Sequence, residues 1–298
     1  MKIIFSKKFM YHNDPNHIEN KSRLFDLLKI IKKEGYEKPY KINKKVYKLL
    51  SLAHSWKYIK KIKKYFKYAN KNKKIVYIDE DTYISPYSYL SSFSSIMAAV
   101  KALDIIEKEK QIFIPTRPPG HHAGRDGKVD STLGFCIFNN IAFLAIYARK
   151  RYNNILVLDI DIHHGNGTED ILKNVKNINF ISTYAKGIYP FPGNSKNIEN
   201  IYKYPLDFGT DDKKYLEIFR KIMIDIENIN PKIILVSLGF DMHYLDPLSV
   251  FKITIETYKK IFEYLLPYKV IYLLEGGYNR KVIYEGILEL IKLWKSSS

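Results

Sequence analysis

The sequence predicts an α/β protein, a mostly parallel β-sheet with helices on both faces, in a single domain over residues 1–298. Three observations predict it. Short apolar runs rich in Ile, Val, Leu and Phe recur, several without polar alternation, which is how strands covered on both faces read. Longer amphipathic stretches lie between them, and strand–helix alternation implies parallel strands. No internal repeat, low-complexity linker or composition shift marks a boundary.

The strand runs are KIIF at 2–5, QIFIP at 111–115, ILVLD at 155–159, INFIST at 178–183, KIILVSL at 232–238 and VIYLL at 270–274. Each is short, apolar and bounded by polar or turn residues. The amphipathic stretches are 21–33, 87–110, 139–152, 213–228, 254–266 and 280–294. In such folds ligands bind in the crevice at the carboxyl ends of the strands. The unusual polar clusters of this sequence follow the strand runs, at the same end.

Composition bounds the answer further. With 46% hydrophobic residues the chain has material for a large core, and one cysteine, Cys136, excludes an internal disulfide framework. The N-terminal apolar run is too short for a signal-peptide core, and no run approaches the ~18 uncharged apolar residues of a membrane span. The expectation is a cytoplasmic protein with no membrane partner. The net charge is +18, with lysine read as spread through the chain beside Ile, Tyr and Asn, a genome-wide or thermophile-like bias. The densest run, KYIKKIKKYFKYANKNKK at 57–74, reads as a helix with a solvated lysine face and a packed opposite side. A nucleic-acid face is the competing reading. No helix-turn-helix or zinc-finger signature supports it, and no nucleic-acid partner is expected.

Four clusters carry candidate chemistry. RPPGHHAG at 117–124 presents His121 and His122 on a loop stiffened by proline and glycine. DIDIHHGNG at 159–167 follows the most apolar strand. Asp159, Asp161 and His163 alternate with isoleucines and so share one face if the strand persists. Carboxylates at the end of a buried strand need a cation or hydrogen-bonded partner, and D-x-H offers the oxygen and nitrogen ligands zinc accepts. LGFDMH at 238–243 adds Asp241, a third ligand that leaves the metal an open position. LEGGYN at 274–279 sets Tyr278 on a Gly-Gly turn at the rim of the same crevice. Cys136, within GFCIFNN, reads as a packed thiol.

These motifs, with YPFPG at 189–193 and DPL at 246–248, resemble those of the histone deacetylases, within the arginase–deacetylase fold. They stand in the family's order across residues 117–279. Upstream, His54-Ser55 and the 79–82 segment also fit. His17 to Arg23 resembles a family H-P-E-x-P-x-R segment, although both prolines are absent here. The resemblance implies zinc held by Asp161, His163 and Asp241, with iron(II) able to take the same ligands. It implies proton handling by His121 and His122, with Asp159 behind the first, and a carbonyl-polarising Tyr278. It further implies a potassium site using Asp159 and Ser182, aromatic tunnel walls Phe135 and Phe191, a rim aspartate Asp81, and close backbone positions at Gly134 and Gly276.

Asn166 stands where class I members carry aspartate, as in class II, bacterial and archaeal members and the acetylpolyamine amidohydrolases. An amide cannot stabilise an imidazolium as a carboxylate does, so His122 is expected to be less basic than His121 and to act as the base. The activity implied is deacetylation of acetyl-lysine in proteins such as histones. The alternatives are acetylpolyamine hydrolysis, a non-catalytic acyl-lysine reader and a two-manganese ureohydrolase. The physiological substrate and oligomeric state are not legible.

Overall fold

The computed structural model describes residues 1–191 and 198–297. The elements run β1 (Lys2–Ile3), α1 (Leu27–Glu34), α2 (Val46–Leu50), α3 (Trp56–Asn72), β2 (Val76–Tyr77), β3 (Tyr83–Ile84), α4 (Ser88–Glu109) and β4 (Gln111–Ile114). They continue with α5 (Asn140–Ala148), β5 (Ile155–Asp159), α6 (Asn166–Leu172), β6 (Ile178–Ala185), β7 (Ile201–Leu206), α7 (Asp212–Ile229), β8 (Ile233–Leu238), α8 (Ile255–Leu265), β9 (Val270–Leu274) and α9 (Arg280–Ser297).

Seven strands form one sheet in the order β1-β4-β9-β8-β5-β6-β7, and every pairing in it is parallel. Strands β4, β5, β8 and β9 are buried at every residue. Successive side chains point to opposite faces, so both faces of the sheet are covered. Strands β2 and β3 form a separate antiparallel hairpin.

All six strand runs read from the sequence are strands. The edge strand β7, IYKYPL, escaped the reading because Lys203 and Pro205 interrupt it; proline is tolerated on an edge, where a ladder donor is dispensable. The stretch 21–33 opens as a 3₁₀ turn (Lys21–Leu24) before α1 begins. Helix α4 is long and apolar enough to cross a membrane by length and composition. It is nevertheless a core helix, largely buried inside the fold and packed on β4 and α5. Helix α3 buries Tyr58, Ile59, Ile62, Phe66 and Ala69 and leaves its lysines in solvent. Side-chain caps fix helix starts: Ser55, Asn139, Asp211 and Thr254 each accept a backbone N–H from the first turn.

Candidate active site

Strands β4, β9, β8 and β5 are consecutive in the sheet, so the loops leaving their carboxyl ends converge. Those loops carry His121 and His122, then Gly276 and Tyr278, then Asp241, then Asp161 and His163. Together they floor a cavity of about 290 Å³ whose walls include Phe135, Tyr189 and Tyr278.

Asp161, His163 and Asp241 bring one donor atom each within 4.8 Å of one another. His163 Nδ1 lies 3.1 Å from Asp161 Oδ1 and 3.3 Å from Asp241 Oδ2. Both carboxylates are fully buried, and Asp241 Oδ2 receives no properly directed hydrogen bond. A buried, under-satisfied carboxylate oxygen facing an imidazole and a second carboxylate is the donor set of a divalent cation. Burial opposes the charged form of His163, yet its hydrogen bond to Asp161 and the facing Asp241 carboxylate raise it to about 9. Burial and then Asp161 raise Asp241 to about 7. The pocket thus attracts positive charge.

Gly276 makes the approach possible. Its N–H donates to Asp161 Oδ2 at 2.8 Å, and a Cβ there would lie 2.0 Å from Asp241 Oδ2 and 2.5 Å from Asp161 Oδ2. The Gly276→Ala variant is expected to hold a divalent cation about 10- to 100-fold more weakly while retaining its secondary structure. Calorimetric zinc titration beside circular dichroism checks this; unchanged affinity would show that the carboxylates can yield.

The tandem histidines sit in different fields. His121 Nδ1 pairs with Asp159 Oδ2 at 3.0 Å. Burial opposes its charge, but Asp161 and Asp159 outweigh it and raise the ring to about 10. His122 is pushed well below its ordinary value, first by burial and then by the charges on His121 and His163. Its Nδ1 meets Asn166 Oδ1 at 2.8 Å. Asn166 Nδ2 in turn donates to Asp130 Oδ2 at 2.6 Å. Because a carboxylate only accepts, Asp130 fixes which way the amide points. His122 Nδ1 must then donate, leaving Nε2 with a lone pair. Sequence reasoning missed Asp130, which is an ordinary aspartate of an exposed loop.

Tyr278 is held from two sides. Its N–H donates to Asp246 Oδ2 at 2.5 Å, and the Arg23 guanidinium lies 4.8 Å from its ring centroid. Burial pushes its phenol well above the ordinary value, so it remains a neutral donor. Arg23 also donates to Gly277 O at 2.6 Å and Glu275 O at 2.5 Å. Arg23 itself is bound by Glu19, whose other oxygen accepts from Arg117 Nε at 2.7 Å. This buried trio occupies the 17–23 segment and the RPPGHHAG loop. Glu275 joins the same loop by accepting from the N–H groups of Gly120 and His121 at 2.7 and 3.2 Å.

The remaining expected residues divide. Phe135 lines the cavity, edge-on to Tyr278 at 5.9 Å. Gly134 has φ +51°, and a Cβ there would lie 2.4 Å from His122 Cδ2. Asp81 lines the mouth with Glu80; its two oxygens accept from Thr82 and Thr132 hydroxyls at 2.7 and 2.6 Å. Ser182 pairs with Asp159 across β5 and β6, and its hydroxyl meets His164 Nδ1 at 3.0 Å. Phe191 is 68% exposed and is not part of the cavity lining formed by the described residues. Tyr189, earlier in the same motif, supplies an aromatic wall there, with its ring 4.8 Å from that of His122. Residues Pro192 and Gly193 of that motif lie outside the described residues. Cys136 is buried, with its thiol near the Gly134 carbonyl at 3.3 Å. Its sulfur lies with His121 and Glu275 in a second group of donor atoms within 4.8 Å; His121 Nδ1 is engaged by Asp159 and Glu275 Oε2 by the loop amides, while Glu275 Oε1 is buried without a hydrogen-bond partner.

Comparison with known proteins adds to this geometry. The sequence profile of the histone deacetylase domain matches residues 17–293. A protein of Methanothermobacter thermautotrophicus described as a probable deacetylase is 30% identical over 304 residues, covering 95% of this chain and 87% of its own length. The crystal structure of the HDA15 HD domain superposes with a TM-score of 0.86 at 25% identity, covering 99% of this chain and 91% of that one. Acetylpolyamine aminohydrolase from Burkholderia pseudomallei shares the fold at a TM-score of 0.85 and 18% identity, covering 99% of each chain.

Proposed function

The chain belongs to the histone deacetylase family, and from that membership we propose that it is a zinc-dependent amidohydrolase removing acetyl groups from the ε-amine of acetyl-lysine in proteins. The observation that carries the reading is the convergence of Asp161, His163 and Asp241 within 4.8 Å, on a cavity also lined by His122 and Tyr278.

A divalent metal held by Asp161, His163 and Asp241 supplies, when bound, a Lewis acid for the amide carbonyl and lowers the pKa of water; iron(II) fits the same donors. The residues do the rest. Phe135, Tyr189 and Tyr278 enclose a neutral acylated alkyl chain, whereas a free ammonium would lose its hydration against those rings. His122, uncharged and donating through Nδ1 to Asn166, accepts a proton from water at Nε2 and returns one to the leaving amine. His121, protonated against Asp159, contributes fixed positive charge beside it. The Tyr278 hydroxyl donates to the oxygen on which negative charge develops.

A second reading, acetylpolyamine hydrolysis, is favoured by Glu80 and Asp81 at the cavity mouth, where a distal ammonium would be attracted. Turnover of the zinc-loaded protein on an acetyl-lysine peptide and on an acetylated polyamine separates the two. Faster peptide turnover is expected. Faster polyamine turnover would move the assignment to the small amine, and no turnover on either with zinc bound would count against both.

Metal binding carries its own pH dependence. The proton on His163 is held to about 9 and that on Asp241 to about 7, and each competes with the cation. Zinc affinity is therefore expected to rise with pH through this window and to level off above about 9. Titrations in chelator-buffered zinc check it; a flat profile would mean no ligand proton is displaced.

A further inference from the structure

The positive charge is not spread through the chain, as its composition first suggests. Residues 38–78 contain 14 of the 49 basic residues and none of the 31 acidic ones. That single segment therefore carries +14 of the net +18, and the rest of the chain only +4. A genome-wide lysine bias would raise lysine everywhere, without emptying one segment of acids.

Helix α3 concentrates this charge. Its exposed positions are Lys57, Lys60, Lys61, Lys63, Lys64, Lys67 and Lys71, with Trp56, Tyr68 and Asn72. Solvated helices usually set glutamate three or four residues from lysine; here lysine follows lysine at that spacing, and each such like-charge pair weakens the helix. Among the described residues, no lysine of 38–78 forms an ion pair within 4 Å. The patch is thus built at a cost to the free protein that a bound polyanion would relieve.

The aromatic residues select among polyanions. A groove of about 650 Å³ beside α3 is lined by Lys61, Lys64, Tyr65, Tyr68, Val76 and Tyr77. Tyr68 and Tyr77 are 56% and 50% exposed, far more than core packing needs. Flat rings beside a row of ammonium groups match bases and phosphates of an unpaired strand. An acidic peptide would use the lysines but offers few flat faces to the rings, and rings that line a groove between lysines, without a continuous apolar face, suit stacked bases better than a lipid surface.

We propose that this lysine-covered face of α3 and its tyrosine-lined groove bind single-stranded nucleic acid, with phosphates on Lys61, Lys64 and Lys67 and bases on Tyr68 and Tyr77. The hairpin β2–β3 relates this surface to the cavity. Val76 and Tyr77 line the groove, while Glu80 and Asp81, in its turn, line the cavity mouth. Those carboxylates repel phosphate, so the strand stays on the groove and is not drawn into the cavity. Binding is independent of the reaction the cavity performs.

The test is fluorescence anisotropy with the full chain and labelled oligo(dT) and oligo(U) of about 20 nucleotides. Saturable binding tighter than about 100 µM is expected, weakening with salt by about 0.7 log units per log unit for each phosphate neutralised. The Lys61→Glu/Lys64→Glu/Lys67→Glu variant is expected to lose at least about tenfold in affinity. Tyr68→Ala/Tyr77→Ala is expected to lose at least about fivefold with the salt slope unchanged. Urea midpoints monitor the fold of both, and the tyrosine variant alone suffices if the lysine variant is unstable. Absence of oligonucleotide binding overturns the proposal. So does full affinity in the tyrosine variant, or equal competition by poly-glutamate or phosphatidylserine vesicles at matched charge, since either reduces the patch to a general polyanion or membrane surface.

Discussion

The Tyr278→Phe variant is expected to lose about 10²–10³ in turnover with its fold and zinc affinity unchanged. The expectation follows from what the hydroxyl can do. Burial holds the phenol neutral, so it can donate but contributes no charge. Its backbone is fixed by Asp246 and its ring by Arg23, and neither contact uses the hydroxyl. Removing one oxygen therefore deletes a donor and leaves the packing in place. The donor matters most where the carbonyl oxygen gains negative charge, so kcat should fall and KM should change little. Steady-state kinetics on an acetyl-lysine peptide checks the split. A loss confined to KM would reassign Tyr278 to substrate binding.

The second large effect concerns stability. Glu19 lies between Arg23 and Arg117, and all three side chains are at most 1% exposed. The Glu19→Gln variant would leave two buried guanidinium groups without their counter-charge. A loss of about 3–5 kcal/mol is expected at pH 7, read from urea unfolding. The pH dependence has a definite sign. Burial opposes the Glu19 carboxylate, but Arg117 and Arg23 outweigh it and hold it near 2, below its ordinary 4.5. The stabilisation is present above about 4.5 and is lost as pH falls through about 2. The gap between wild type and variant should therefore narrow below about 4.5. A gap that persists at pH 2 would point to packing instead of charge.

Much of this molecule was legible in its sequence, for identifiable reasons. Buried parallel strands require uninterrupted apolar runs, so 155–159, 232–238 and 270–274 declared themselves. Asp161 and His163 were legible as neighbours in a polar cluster, but strand alternation does not join them: β5 ends at Asp159, and the bend after it brings their donor atoms together. Partners distant in sequence were hidden. Glu19 and Arg23 stood out only as part of a segment resembling one of the family, and nothing in the chain announces that Arg117 closes the network from 98 positions away. Asp130 acts through Asn166 across 36 positions. Phe191 was placed by resemblance; it is largely exposed, and Tyr189 of the same motif lines the cavity. Segmental charge was missed because net charge is a sum, and a sum does not record where the acids are absent.

The adjacency of β4, β9, β8 and β5 has a consequence for how the protein comes into being. The ligands and the amide that orients them come from loops as far apart in the chain as 161, 241 and 276. No fragment ending before β9 contains the whole set. Parallel pairings of this kind are non-local and slow to form, so the donor set is incomplete until β9 has been made and paired. A donor set able to hold a divalent cation is then a late property, complete only with the closed sheet. A cation that binds only the native state would draw the equilibrium toward completed molecules.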